Sequence, residues 1–184
     1  MSFLPSDYQF REKSGQFMRL KNGENRIRIL SDAIVGYSWW DENKKPFRVR
    51  TFQEAVNNGV EPLKEFWAFV VWNYNSNQVE VLELTQKTIQ RQLHTLNIDS
   101  DWGDPKQYDI NIQRTGEGME TEYQVSPKPA KPLSNDIKLA YEGSDIDLQA
   151  LFKGEYPMPV KNEGLEKMAV ESLTKKDIND DIPF

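Results

Sequence analysis

In separate runs between Asn25 and Leu84 polar and apolar side chains alternate with a period of two, the pattern that a strand with one buried face requires. Arg26, Ile27, Arg28 and Ile29 open the first run, which resumes after Ser31-Asp32 as Ile34 to Trp40. Together they read as one long strand bent at a bulge, with Gly36 permitting the bend. Pro46 to Phe52 is a second alternating run and Glu65 to Tyr74 a third. Asn75-Ser76-Asn77 joins the third to Gln78–Leu84 as a hairpin. Thr85 then opens a helix to about Leu96, in which Ile89, Leu93 and Leu96 form one apolar stripe. Tyr108–Arg114 and Thr121–Ser126 supply two more strands across Gly116-Glu117-Gly118.

A long strand, a hairpin, a single helix and two final strands is the element order of an OB-fold, a mainly β five-stranded Greek-key barrel. Its one helix lies between the third and fourth strands, and residues 41–64 form an insertion after the first. The barrel domain is expected over residues 1–132. Residues 133–176 are read as a linker with short helices, and 177–184 as a disordered acidic tail. Pro127 to Pro132 reads as an extended polyproline-like linker. A helix from Ser144 to Phe152, capped by Ser144, is expected to dock Ile146, Leu148, Leu151 and Phe152 on the barrel, and a weak helix near Gly164–Leu173 to precede the tail.

The 184 residues suit one domain with appendages. There is no cysteine and a single histidine, His94, so disulfides, zinc ribbons and thiol chemistry lack ligands and nucleophiles, and neither metal nor cofactor is expected. The N-terminus lacks a signal-peptide pattern and no apolar stretch would span a bilayer, so the expectation is a cytoplasmic protein with no membrane partner. The overall charge is acidic, with 23 Lys and Arg against 29 Asp and Glu. Its distribution matters more than its sum: residues 10–50 hold ten basic and five acidic groups, while residues 132–184 hold six and eleven. A polyanion surface would therefore be local, and distant acids are screened beyond roughly 8–10 Å.

The aromatic residues crowd into the same part of the chain as its basic ones. If the Val49 face of the second run is buried, Arg48, Arg50 and Phe52 form an outward row. Arg26 and Arg28, alternating with Ile27 and Ile29, are likewise expected to face solvent. Aromatic rings stack on unpaired bases while Arg and Lys meet phosphates, which is how single strands are held without sequence preference. The candidate DNA-binding set is Arg26, Arg28, Tyr37, Trp39, Trp40, Lys44, Lys45, Arg48, Arg50, Phe52, Trp67, Trp72, Tyr74 and Arg114. Trp67, Phe69 and Val71 share one face of their strand and Phe66, Val70, Trp72 and Tyr74 the other, so at least half of these aromatics belong to a core. Catalysis has little to draw on: Asp99, Asp101 and Asp104 read as loop acids, His94 has no nucleophile beside it, and no phosphate-binding Gly-rich loop is present.

A resemblance spans roughly residues 15–135. Asn25-Arg26-Ile27-Arg28-Ile29-Leu30-Ser31-Asp32, Trp67-Ala68-Phe69-Val70-Val71-Trp72-Asn73 with Val81-Leu82-Glu83-Leu84, and Trp102-Gly103-Asp104-Pro105 through Arg114-Thr115-Gly116-Glu117-Gly118 to Pro127 resemble phage-type single-stranded DNA-binding proteins. The resemblance implies a non-catalytic OB-fold that holds single strands in an aromatic and basic groove during DNA replication, recombination and repair. Some relatives carry a zinc-binding insertion; this chain lacks the ligands, so residues 41–64 must be stabilised by packing or ordered by DNA. Asp180, Asp181, Ile182, Pro183 and Phe184 resemble the acidic tip of bacterial single-stranded DNA-binding proteins, which implies a hook for replication, recombination or repair proteins. The competing reading is an OB-fold adaptor that joins proteins in such a complex.

Overall fold

A computed structural model describes residues 17–158, which form one seven-stranded antiparallel sheet with few helices. The segment expected to be one bent strand is two, β1 (Gly23–Ile29) and β2 (Ile34–Trp40), broken between Ile29 and Ile34. Both pair with β4 (Lys64–Asn73), β1 through Ile27–Asn73 and β2 through Ile34–Ala68. Strand β5 (Gln78–Leu84) takes the other edge of β4, completing the expected hairpin. The free edge of β1 is filled by β6 (Tyr108–Thr115), which carries β7 (Glu122–Ala130). Helix α2 (Lys87–Ile98) lies between β5 and β6 in the chain and starts two residues later than expected.

One face of this sheet encloses a core of Ile27, Ile29, Phe69, Val71, Leu82, Leu84, Ile110 and Ile112, closed by Ile89 and Leu93 of α2. The two ends of the sheet are tied through side-chain amides of that helix. Gln90 donates to the Leu84 carbonyl at the end of β5, while Gln92 donates to the Tyr123 carbonyl and accepts from the Val125 amide on β7. The sheet therefore curls around its inner face.

The insertion is stabilised by packing and by its own caps. It contains β3 (Pro46–Val49), paired to β2, and α1 (Phe52–Asn58). The expected strand through Phe52 stops early because Thr51 and Glu54 form a reciprocal capping box that starts α1. A Thr-x-x-Glu pattern is visible in the sequence and could have located this helix.

Three further expectations are corrected. The Pro-rich run is no linker up to Ala130: Pro127 pairs with Ile110 and Ala130 with Tyr108 inside β7. Proline is tolerated there because β7 is an edge strand, whose missing amide hydrogen faces no neighbour. The helix expected from Ser144 is a 3₁₀ turn, Leu148–Lys153, capped by Asp147, and it is preceded by α3 (Asn135–Glu142), which Ser134 caps. Its docking was anticipated correctly: Leu148, Leu151 and Phe152 pack on Phe66 and Ala68, covering the outer face of β4. The weak helix at Gly164–Leu173 and the acidic tail lie outside the described residues.

Gly36 was expected to permit a bend, but the break lies before it, and what its position needs is space. A side-chain carbon there would collide with the Val49 carbonyl and the rings of Phe66 and Phe152. Gly36→Ala should lower unfolding free energy by roughly 1–3 kcal/mol through overpacking. A fall in the urea midpoint at unchanged slope would show it, and an unchanged midpoint would contradict the packing at this crossing.

Candidate nucleic-acid interface

The inner face of the sheet leaves the core at Val35 and Trp67, which stand opposite each other on β2 and β4, and continues along β2 and β3 as an open surface. The cross-strand pairs Tyr37–Val49 and Trp39–Phe47 extend it, because directly opposed residues share a face. Trp39 is 6% exposed and stacks on Phe47 at 5.6 Å with the planes 9° apart. Its indole is also covered by the Gly59 end of α1, so Trp39 is the core of the insertion and supports the more exposed Phe47. Phe52, 59% exposed, meets the Tyr37 ring edge-on at 5.4 Å. The Lys45 ammonium sits 5.5 Å from the centre of the Phe47 ring. Trp67 is oriented by an Nε1–H bond to Glu65, whose carboxyl is held below its usual range by Lys87 first and by this indole second.

The surface thus offers a succession of ring faces, Trp67, Tyr37, Phe52 and Phe47, with a lysine at the far end. Trp40, 62% exposed, points to the opposite face, since adjacent strand residues alternate. Lys44 occupies a left-handed turn (φ 58°) before β3 and is exposed.

The expected row of Arg48, Arg50 and Phe52 does not exist as one face. Arg48 lies on the outer side, paired with Glu83 at 2.8 Å and set against the Phe66 ring. Arg50 donates to Gln149 and lies 4.2 Å from the centre of the Phe152 ring. Arg50 therefore holds the 3₁₀ turn Leu148–Lys153 onto the sheet, while Arg48 ties β3 to β5. Arg114 donates to the Leu20 carbonyl, joining the start of the described chain to the end of β6.

A second cluster occupies the outer face where β1, β4 and β6 meet. Arg28, expected in solvent, is 3% exposed. It lies opposite both Trp72 on β4 and Asp109 on β6. Asp109 is fully buried and accepts from Arg26 at 2.8 Å, Arg28 at 3.3 Å, Lys131 at 3.0 Å and the Tyr74 hydroxyl at 3.0 Å. Arg28 also donates to the carbonyls of Lys106 and Lys131. Three cations share one carboxylate, so the cluster keeps a positive excess, and Arg26 and Lys131 both lie over the Tyr74 ring. Burial works against the charged form of Asp109, but the bonds from Lys131, Arg26 and Tyr74 outweigh it and lower its pKa. Lys131 was missed because it falls in a run that reads as linker. Its only sequence signal is a lysine just past an apolar-alternating strand.

Among the described residues no group of three or more His, Asp or Glu could hold a metal ion, and no helix is long and apolar enough to cross a membrane.

No protein-family model matches this chain, and no solved structure matches it. A protein of Escherichia phage T5 named a probable ssDNA-binding protein is 26% identical over 169 aligned residues, covering 72% of this chain and 65% of that protein. The chain therefore spans less than two thirds of that relative's length.

Replacing Asp109 with asparagine leaves Arg28 charged and buried without its counter-ion, so D109N should cost about 3 kcal/mol of stability at neutral pH. Because the folded-state pKa of Asp109 lies below its ordinary value of 3.8, its contribution is present above that value and is lost as pH falls through the folded one. Urea unfolding should show the gap between parent and variant narrowing below about pH 4. A gap constant down to low pH would contradict the ion cluster.

Proposed function

We propose that this protein binds single-stranded DNA without sequence preference, along the inner-face surface of Trp67, Tyr37, Phe52 and Phe47. The succession of accessible ring faces on a rigid sheet carries this reading, because every unpaired base has a face to stack and a duplex exposes none along its length. The likeness to a phage protein named a probable ssDNA-binding protein supports it. Lys45, beside Phe47 on the same face, supplies a contact to phosphate. No catalytic step belongs to this reading; the consequence of binding is that strands are coated, shielded and kept from re-pairing during replication, recombination and repair.

The architecture fits the same reading. Strands β1 and β2 act as the two halves of a long first strand, β4 and β5 as the second and third, and β6 and β7 as the fourth and fifth, with α2 in the place of the single OB-fold helix. On that assignment β3 and α1 extend the first-strand turn, and the ring-lined surface lies on that extension. Residues Asp180, Asp181, Ile182, Pro183 and Phe184 are proposed to recruit replication, recombination or repair proteins and to compete with DNA through their phosphate-like carboxylates.

Titration of fluorescent oligonucleotides tests the reading. Single strands should bind in preference to duplex, with log affinity falling against log salt by about 0.7 per phosphate contacted. F52A and F47A should each weaken binding by about 1 kcal/mol, roughly fivefold. Their folding should be little affected at Phe52, which is exposed. Duplex preference, or indifference to both variants, would favour the adaptor reading.

A further inference from the structure

A cleft of about 230 Å³ opens where β1 turns into β2, between the second half of α2 and Pro105-Lys106. Its floor is apolar, formed by Ile29, Phe69 and Leu93 of the core. Its wall is Trp67 with Val35, the two residues at which the inner face emerges from the core. The cleft is therefore continuous with the ring-lined surface. Its rim is polar, and two of the rim side chains, His94 and Asn97 on the exposed side of α2, make no hydrogen bond among the described residues. A third, Lys106, is held at the rim by Asp32 and Asp104. The sole histidine of the chain, which had no catalytic reading, thereby acquires a place beside the candidate interface.

We propose that this cleft receives one unstacked nucleobase of a bound single strand, an inference that rests on the nucleic-acid reading and adds a site to it. The volume lies below the roughly 300–1,000 Å³ of clefts that hold drug-sized ligands, which matches a ligand the size of a single base. The chemistry matches as well. A base presents an apolar ring face to Trp67 and the floor, and a hydrogen-bonding edge that the Asn97 amide and His94 imidazole can meet. Lys106 sits where the sugar-phosphate on either side of the inserted base would pass, and its ammonium can transfer from Asp32 to a phosphate. Insertion anchors the strand at Trp67, and the following bases then lie along Tyr37, Phe52 and Phe47.

Ala33 lines the cleft from an exposed position, so A33W would cap it without altering the core. The full-length protein is titrated with an oligothymidylate and with an abasic deoxyribose-phosphate oligomer of the same length. A33W should weaken binding of the oligothymidylate about tenfold, the share of a single stacked base. The abasic oligomer should bind parent and variant equally, since it has no base to insert. The urea midpoint of A33W reports on its folding, and N97A, at an exposed helical position, provides a second variant expected to lose a few-fold on oligothymidylate alone. Unchanged oligothymidylate affinity in both variants, or an equal loss on both oligomers, would overturn the base site while leaving single-strand binding intact. Failure of the parent protein to bind oligothymidylate would instead remove the nucleic-acid reading, and the base site with it.

Discussion

Strand β4 is buried on both faces, and the remaining structure is arranged to cover it. Phe69 and Val71 point into the curled core, while Phe66 and Ala68 point outward and would be exposed apolar area without a second cover. Fully burying a Phe contributes roughly 1.5–3 kcal/mol, so neither face can be left open cheaply. The 3₁₀ turn Leu148–Lys153 supplies the outer cover, with Phe152 against Phe66 and Leu151 2% exposed. Arg50 secures that cover through Gln149 and Phe152, while Arg48 pairs with Glu83 and lies against the covered Phe66 ring.

This arrangement separates the two faces of the β2–β3 extension by chemistry. Where the outer face is sealed by residues 146–158, the inner face past Val35 and Trp67 is covered by α1 at Trp39 and leaves Phe47 and Phe52 exposed. The rings left accessible are fixed by neighbours: Phe47 by Trp39 beneath it, Phe52 by the capping box that starts α1, Trp67 by Glu65. A surface pre-ordered in this way loses little side-chain entropy on binding. The Asp109 cluster plays the corresponding part on the outer face, holding Arg26 and Lys131 above Tyr74.

Much of the fold was legible in the chain. The hairpin of β4 and β5 and the apolar stripe of α2 follow directly from spacing, and Ile89 and Leu93 are buried as that stripe requires. Helix α1 was legible too, in Thr51 and Glu54, but the alternation of Pro46 to Phe52 masked it. The extension of β7 through Pro127 was not, since a Pro-rich run is a strand only when an edge position makes the missing donor harmless. Of the candidate site residues, Tyr37, Phe52, Trp67 and Lys45 are gathered along one face with Trp39 beneath it, while Trp40, Arg48 and Arg50 stand elsewhere.

The sequence by itself determined where most of the strands run and which residues of each share a face, because a period of two is a local property of the backbone. It could not determine which face meets solvent. Arg28 alternates with isoleucines as a surface residue would, yet it is buried because Asp109, 81 positions away, supplies its counter-charge. Trp39 and Trp40 are neighbours of one residue type, and one is enclosed while the other is exposed because α1 closes over a single face of β2. Burial of a charge or a ring depends on what long-range pairing sets against it, and that was decided only when the strands paired.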